Sequence, residues 1–172
     1  MPKRDRVPAP PLYFNHHDLD EPFASDTGYL LTFVSQMAYL AFDKALEPMD
    51  IDARQYGVMT LIAEGKHRSQ IAISENLGFD RTHVVRLVDS LEALGYVIRQ
   101  RDSDDRRYYK LFLTQEGQSA LKEAKERADR VQADTYSCLS DAEREQLNTL
   151  LRKLGEQRFS KKHLGSDAAD GA

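Results

Sequence analysis

The chain has 172 residues, 41% of them hydrophobic and 30% charged, with one cysteine and a formal net charge of −4. That length holds one domain, or one core with extensions. No apolar run is long enough to span a bilayer, the opening MPKRDRVPAPP lacks the apolar stretch of a secretory signal, and a lone cysteine forms no internal disulfide, so a reducing cytoplasm is the expected compartment. The charge is unevenly spread. Residues 1–65 carry a net −5, residues 66–110 a net +2 and residues 111–172 a net −1. One basic segment in an acidic chain limits indiscriminate attachment to polyanions.

Residues 1–25 hold five of the six prolines and read as a loosely held arm. From Asp26 the spacing of Leu30, Val34, Met37 and Ala41, with Phe33 and Leu40 beside them, predicts a helix that Pro48 ends after Leu46. Asp52 suits the N-cap of a second helix carrying Tyr56, Met59 and Ile62, closed by Gly65. A short helix follows, with Ile73 and Leu77 facing a core, and Gly78 and Phe79 turn the chain into the next. That helix runs from Asp80 with Val84, Leu87, Val88, Leu91 and Leu94 on one stripe and stops at Gly95. Two short alternating runs, YVIRQR and YYKLFLT, flank the polar DSDDRR, the pattern of a β-hairpin. Thr114 and Gly117 open a long polar helix whose apolar positions are small or sparse: Leu121, Ala124, Ala128, Val131. Such a stripe suits close packing on another helix. Ser140 and Glu143 form a capping box ahead of a last helix, expected to bury Leu147, Leu150, Leu151 and Leu154. The tail from residue 161 to 172 is too polar to pack. No internal repeat is found.

The expected fold is mainly α with a small β-hairpin wing: a winged helix-turn-helix lobe at about residues 53–114, with further helices before and after it, within residues 26–160. Thr82, Arg86 and Asp89 lie opposite the apolar stripe of the Asp80 helix, flanked by Arg81 and His83. A helix that fits a major groove beside an arginine-bearing hairpin is a device for gripping DNA.

The stretch from Ser69 to Gly117 resembles the core of the MarR (multiple antibiotic resistance regulator) family. Asp102, Ser103, Asp104, Asp105, Arg106 and Arg107 stand where the family writes Asp-Pro-x-Asp-Arg-Arg, and Leu113, Thr114 and Gly117 supply the LT..G that follows. Two positions depart: Ser103 replaces the usual Pro, and Ser74 sits where a small Ala is usual. The resemblance spans roughly Asp26 to Phe159. It implies a homodimer joined by the first and last two helices, with one recognition helix per subunit in a major groove and one wing in a flanking minor groove. It also implies an inverted-repeat operator and release by a small aromatic acid. Repression is expected over activation.

The DNA-contacting set is then Ser69, Arg81, Thr82, His83, Arg86, Asp105, Arg106 and Arg107. Arg86 is the candidate for a guanine contact; for Arg81 a phosphate contact or a surface ion pair serves equally well. In the resemblance, Asp105 braces Arg107 while Arg106 probes the minor groove. Phe33, Tyr39, Arg54, Tyr56 and Met59 are the candidate ligand-pocket residues, with Arg54 meeting a carboxylate; core packing alone also accounts for most of them, Met59 above all. Cys138 has only Asp134 and Asp141 as near charges, the wrong sign to activate a thiol, so a thiol-oxidation response is the lesser alternative. His16 and His17, in the proline-rich arm, make a weak metal site. No cofactor, no metal and no catalysis are expected, since the sequence shows no nucleophile–base pair, phosphate loop or metal spacing. A winged protein-interaction module without DNA binding is the other class. It would have no need of arginines on both helix and hairpin.

Overall fold

Polar side chains start the helices and so fix where each element lies. The computed structural model describes residues 25–65, 68–102 and 109–164. Asp26 accepts from the Tyr29 amide at 2.7 Å and opens α1 (Thr27–Leu46), which passes into a short 3-10 turn at Glu47–Met49. Asp52 and Gln55 make a reciprocal capping box at the head of α2 (Ala53–Glu64), and Ser69 caps α3 (Gln70–Leu77). Asp80 accepts from the His83 amide at 2.8 Å and starts α4 (Arg81–Ala93). Strands β1 (Val97–Arg101) and β2 (Tyr109–Leu113) pair antiparallel, Val97 opposite Leu113 and Arg99 opposite Leu111. Helices α5 (Gln115–Thr135) and α6 (Asp141–Leu164) complete the order. The mainly helical fold with one small hairpin, expected from the sequence, is the one observed. The arm through residue 24, the hairpin turn at 103–108 and the tail from 165 lie outside the described residues.

The chain divides into two compact units, residues 1–132 and 133–172. In the first, α2, α3, α4, the hairpin and the start of α5 share one core. Val58, Met59, Ile73, Val84, Val88, Leu91 and Val97 are all at 0% exposure. Each such side chain stabilises the fold by about 1.5–3 kcal/mol relative to an exposed position. Gln55 is the buried polar residue of this core, and all its reach is used. Its amide donates to Asp52 and its Oε1 accepts from the Asp52 amide, both at 2.8 Å. Its Nε2 donates 2.9 Å to Ser90 Oγ on α4.

The LT..G sequence ties the lobe to α5. The Thr114 hydroxyl donates 2.6 Å to the Gly95 carbonyl and accepts 2.9 Å from the Gly117 amide, while the Thr114 amide donates to the Tyr96 carbonyl. A Cβ on Gly117 would stand 2.0 Å from that same Tyr96 oxygen, so only glycine fits. Ser74 uses its hydroxyl to hold the α3–α4 turn, donating 2.7 Å to the Phe79 carbonyl.

The two remaining apolar stripes fare differently in the single chain. The small stripe of α5 is covered within the chain: Ala120 and Ala124 belong to the lobe core, and Ala128 is buried as well. Alanines allow a close approach, and the lobe takes it. In the second unit, Ser140 caps α6 reciprocally with Glu143, whose carboxyl is held below its ordinary range by hydrogen bonds from the Ser140 side chain and backbone. The leucine face of α6 is open rather than buried in the single chain, with Leu150 at 52% and Leu154 at 56% exposure. Periodicity shows that a face needs covering and does not say by which chain.

Candidate nucleic-acid interface

Helix α4 sinks Val84, Leu87, Val88 and Leu91 into the core, which leaves Arg81, Thr82, Val85, Arg86 and Asp89 exposed. Thr82, Val85, Arg86 and Asp89 share one face at the i, i+3, i+4, i+7 spacing. Arg81 and Arg86 are exposed, and neither has an ion-pair partner among the described residues. The surface-ion-pair reading of Arg81 thus has no acid to support it there. His83 is half-buried, its ring edge-on to Phe79 with centroids 5.4 Å apart. Ser69 accepts from the Ala72 amide at 3.1 Å, which leaves its hydroxyl proton available. Asp105, Arg106 and Arg107 lie outside the described residues.

One arginine of this region is engaged, and sequence reasoning missed it. Arg99 of β1 bridges two acids of α4. Its Nη2 reaches Asp89 at 2.5 Å, its Nη1 pairs with Glu92, and its amide donates 3.2 Å to a Glu92 oxygen. Strand alternation explains the geometry. Arg99 shares a face with Val97 and with its partner Leu111, both buried, so its side chain is turned inward against the helix. The clamp fixes the hairpin's base to the recognition-type helix and neutralises carboxylates that would repel phosphate. Its signal in the sequence is weak, since the partners are separated by 10 and 7 residues across a helix–strand turn. At the far strand, the Arg68 guanidinium lies over the Phe112 ring, 4.6 Å from its centroid, and the Arg68 carbonyl accepts from the Leu111 amide at 2.8 Å. The segment leading into α3 is thereby strapped to the hairpin. Lys110 pairs with Asp102 at 2.9 Å.

The candidate pocket residues separate into two groups. Tyr39 and Arg54 come together: burial raises the Tyr39 hydroxyl above its ordinary range, Arg54 pulls it down, and Asp43 and Asp52 push it up again. Tyr56 packs edge-on to Phe42 at 5.1 Å, and Phe33 stacks beside Tyr29 at 6.4 Å. Met59 has no exposed surface and serves the core. A separate cleft of about 580 Å³ opens among Met49, Tyr96, Gln115, Glu116, Ser119 and Glu123. Its two carboxylates disfavour an anionic guest. Cys138 is exposed in the turn after α5. Among the described residues, no cluster of His, Cys, Asp and Glu could hold a metal, and no helix is long and apolar enough to cross a membrane.

A capped helix packed by one face, with exposed arginines on the other and a clamped hairpin beside it, defines a winged helix-turn-helix. Comparison with known proteins agrees. The MarR family model matches residues 49–107. A transcriptional regulatory protein for the hcr operon of Thauera aromatica is 36% identical over 102 residues, 59% of this chain and 61% of its own length. The transcriptional repressor MprA of Escherichia coli K12 is 34% identical over 98 residues, 56% of each chain. The chain thus spans about three-fifths of the length of these curated relatives. The crystal structure of CouR from Rhodococcus jostii RHA1 bound to p-coumaroyl-CoA superposes with a TM-score of 0.70 at 31% identity, over 78% of this chain and 95% of that one. The chain belongs to the MarR family.

Proposed function

We propose that the protein is a dimeric, DNA-binding transcriptional regulator that represses by occupying an inverted-repeat operator and is released by a small aromatic acid or its thioester. The observation that carries the reading is the outer face of α4. Its exposed Arg81 and Arg86 flank Thr82 and Val85 on a helix about 20 Å long, a size and chemistry suited to a major groove. The DNA-contacting set is Ser69, Arg81, Thr82, His83 and Arg86, with Asp105, Arg106 and Arg107 from the hairpin turn. The repressor role follows that of MprA, a transcriptional repressor, and the ligand class follows the compound bound to CouR. Tyr39 and Arg54 supply a ring and a cation for such a ligand, with Phe33 and Tyr56 nearby in the chain. A ligand that prefers the DNA-incompetent form releases DNA only by its differential affinity, about 1–3 kcal/mol for a typical coupling.

The test is a footprint on the DNA upstream of the protein's own gene, repeated with aromatic acids, their coenzyme A thioesters and peroxide. Two protected half-sites about 10 base pairs apart are expected, erased by a member of the aromatic panel. Arg54→Ala should blunt that response and Cys138→Ser should leave it intact. Absence of any site-specific protection overturns the DNA reading. Release by peroxide that Cys138→Ser prevents overturns the ligand reading.

A further inference from the structure

The outer face of α4 holds one side chain that a phosphate-binding surface has no use for. Val85 is 38% exposed, the one large aliphatic residue of this helix turned to solvent, while Val84, Val88 and Leu91 beside it are at 0%. It sits between Thr82 and Arg86 on the face that carries the free guanidinium. Asp89, one turn further along, is already held by Arg99. The helix therefore presents a donor fork with a branched hydrocarbon next to it. In a major groove, the guanidinium fork matches guanine O6 and N7, and the apolar group that a protein can recognise is the C5-methyl of thymine.

We propose that Val85 is a specificity-determining residue that packs on a thymine methyl within one or two base pairs of the guanine read by Arg86, once in each half-site. The inference rests on the DNA-binding reading above. Exposure makes the position clean to test. Replacing Val85 by alanine spares the fully buried side chains of the core and exchanges a β-branched residue for a better helix former, so the variant keeps its fold.

Operators selected from a random pool by the full chain should carry a thymine at a fixed place beside the conserved guanine. Each thymine of the half-site is then replaced singly by deoxyuridine, which removes the methyl and nothing else. One replacement should weaken binding by the parent about 3- to 10-fold, and Val85→Ala should bind the thymine and uracil operators equally. Arg86→Ala should lose the guanine preference and keep the methyl discrimination. Indifference of the parent to every deoxyuridine, or undiminished discrimination by Val85→Ala, overturns the proposal while leaving DNA binding in place. Failure to select any operator overturns both.

Discussion

Helix α4 buries Val84, Val88 and Leu91 completely, whereas α6 leaves Leu150, Leu151 and Leu154 at 52%, 39% and 56% exposure. Both helices carry large aliphatic residues at helical spacing, valines and leucines in α4 and leucines in α6, and both begin on a polar cap. The difference lies in what each stripe has to meet. Around α4, the chain itself supplies α2, α3 and the hairpin, so the stripe closes a core. On α6 the leucines stand open in a single chain, and a row of such residues is a surface that another protein copy can cover. Helix α1 repeats the lesson, with Leu31, Val34 and Met37 at 44–47% exposure. One kind of sequence pattern thus closes a core in one helix and leaves an apolar face open in another.

The largest effect should come from charging the open face. The parent should remain dimeric into the nanomolar range. A Leu150→Glu, Leu154→Glu double variant removes apolar burial of about 1.5–3 kcal/mol per leucine from each subunit. Sedimentation should show a folded monomer at micromolar concentration, and operator affinity should fall more than about 100-fold, because a two-fold reader depends on both half-sites. A variant that stays dimeric would assign the interface elsewhere.

Next in size is the closed stripe. Leu91→Ala should lower the unfolding free energy by about 2–5 kcal/mol through lost transfer energy and an unfilled cavity. Leu151→Ala, measured in the Leu150→Glu, Leu154→Glu monomer, should change it by no more than about 0.5 kcal/mol, since Leu151 is exposed in the single chain. Denaturant titration reads both, and equal losses would erase the distinction between the two helices.

Smaller again, and silent in unfolding, is the outer face of α4. Arg86→Ala should cost about 1–3 kcal/mol of specific binding and relax one base position in each half-site. Fluorescence anisotropy against single-base operator variants separates this from a uniform loss, which would move Arg86 to a phosphate contact.

The smallest effect concerns the start of α6. The Glu143 carboxyl is lowered in the folded chain, so its contribution is present above the ordinary carboxylate range and lost as pH falls through the lowered value. Protection of the Ser140 amide from hydrogen exchange should therefore fade on acidification, and Glu143→Gln should make it insensitive to pH. Unchanged protection in the parent at low pH would remove Glu143 from the cap.

The ends and outer face of α4 were legible in the residues because local chemistry sets them. Asp80 is an N-cap with the right side-chain oxygen, and Gly95 takes the left-handed conformation at φ +75° that stops the helix. The position of α5 was legible too, through Thr114 and Gly117. The Arg99 clamp was not, because an inward-pointing charge in a short strand is recognisable only once the strand's register is known. The spacing of the α6 leucines predicts burial without saying against what, because amphipathicity carries no address. Ser74, noted as a departure from the family pattern, proved to be a tie between α3 and its turn, a role set by a carbonyl five residues away.

The Gln55–Ser90 hydrogen bond has a consequence for aim. The hydrocarbon contacts that hold α4 are non-directional, and a greasy stripe tolerates some rolling of the cylinder against its bed. A guanidinium about 6 Å from the helix axis sweeps roughly 1 Å for every 10° of roll. That is enough to spoil a two-pronged contact with a base edge. A directional bond from the floor of the core to the inner side of α4 acts as a key in a shaft. It gives the helix a zero of rotation, and with it the bearing along which Val85 and Arg86 point.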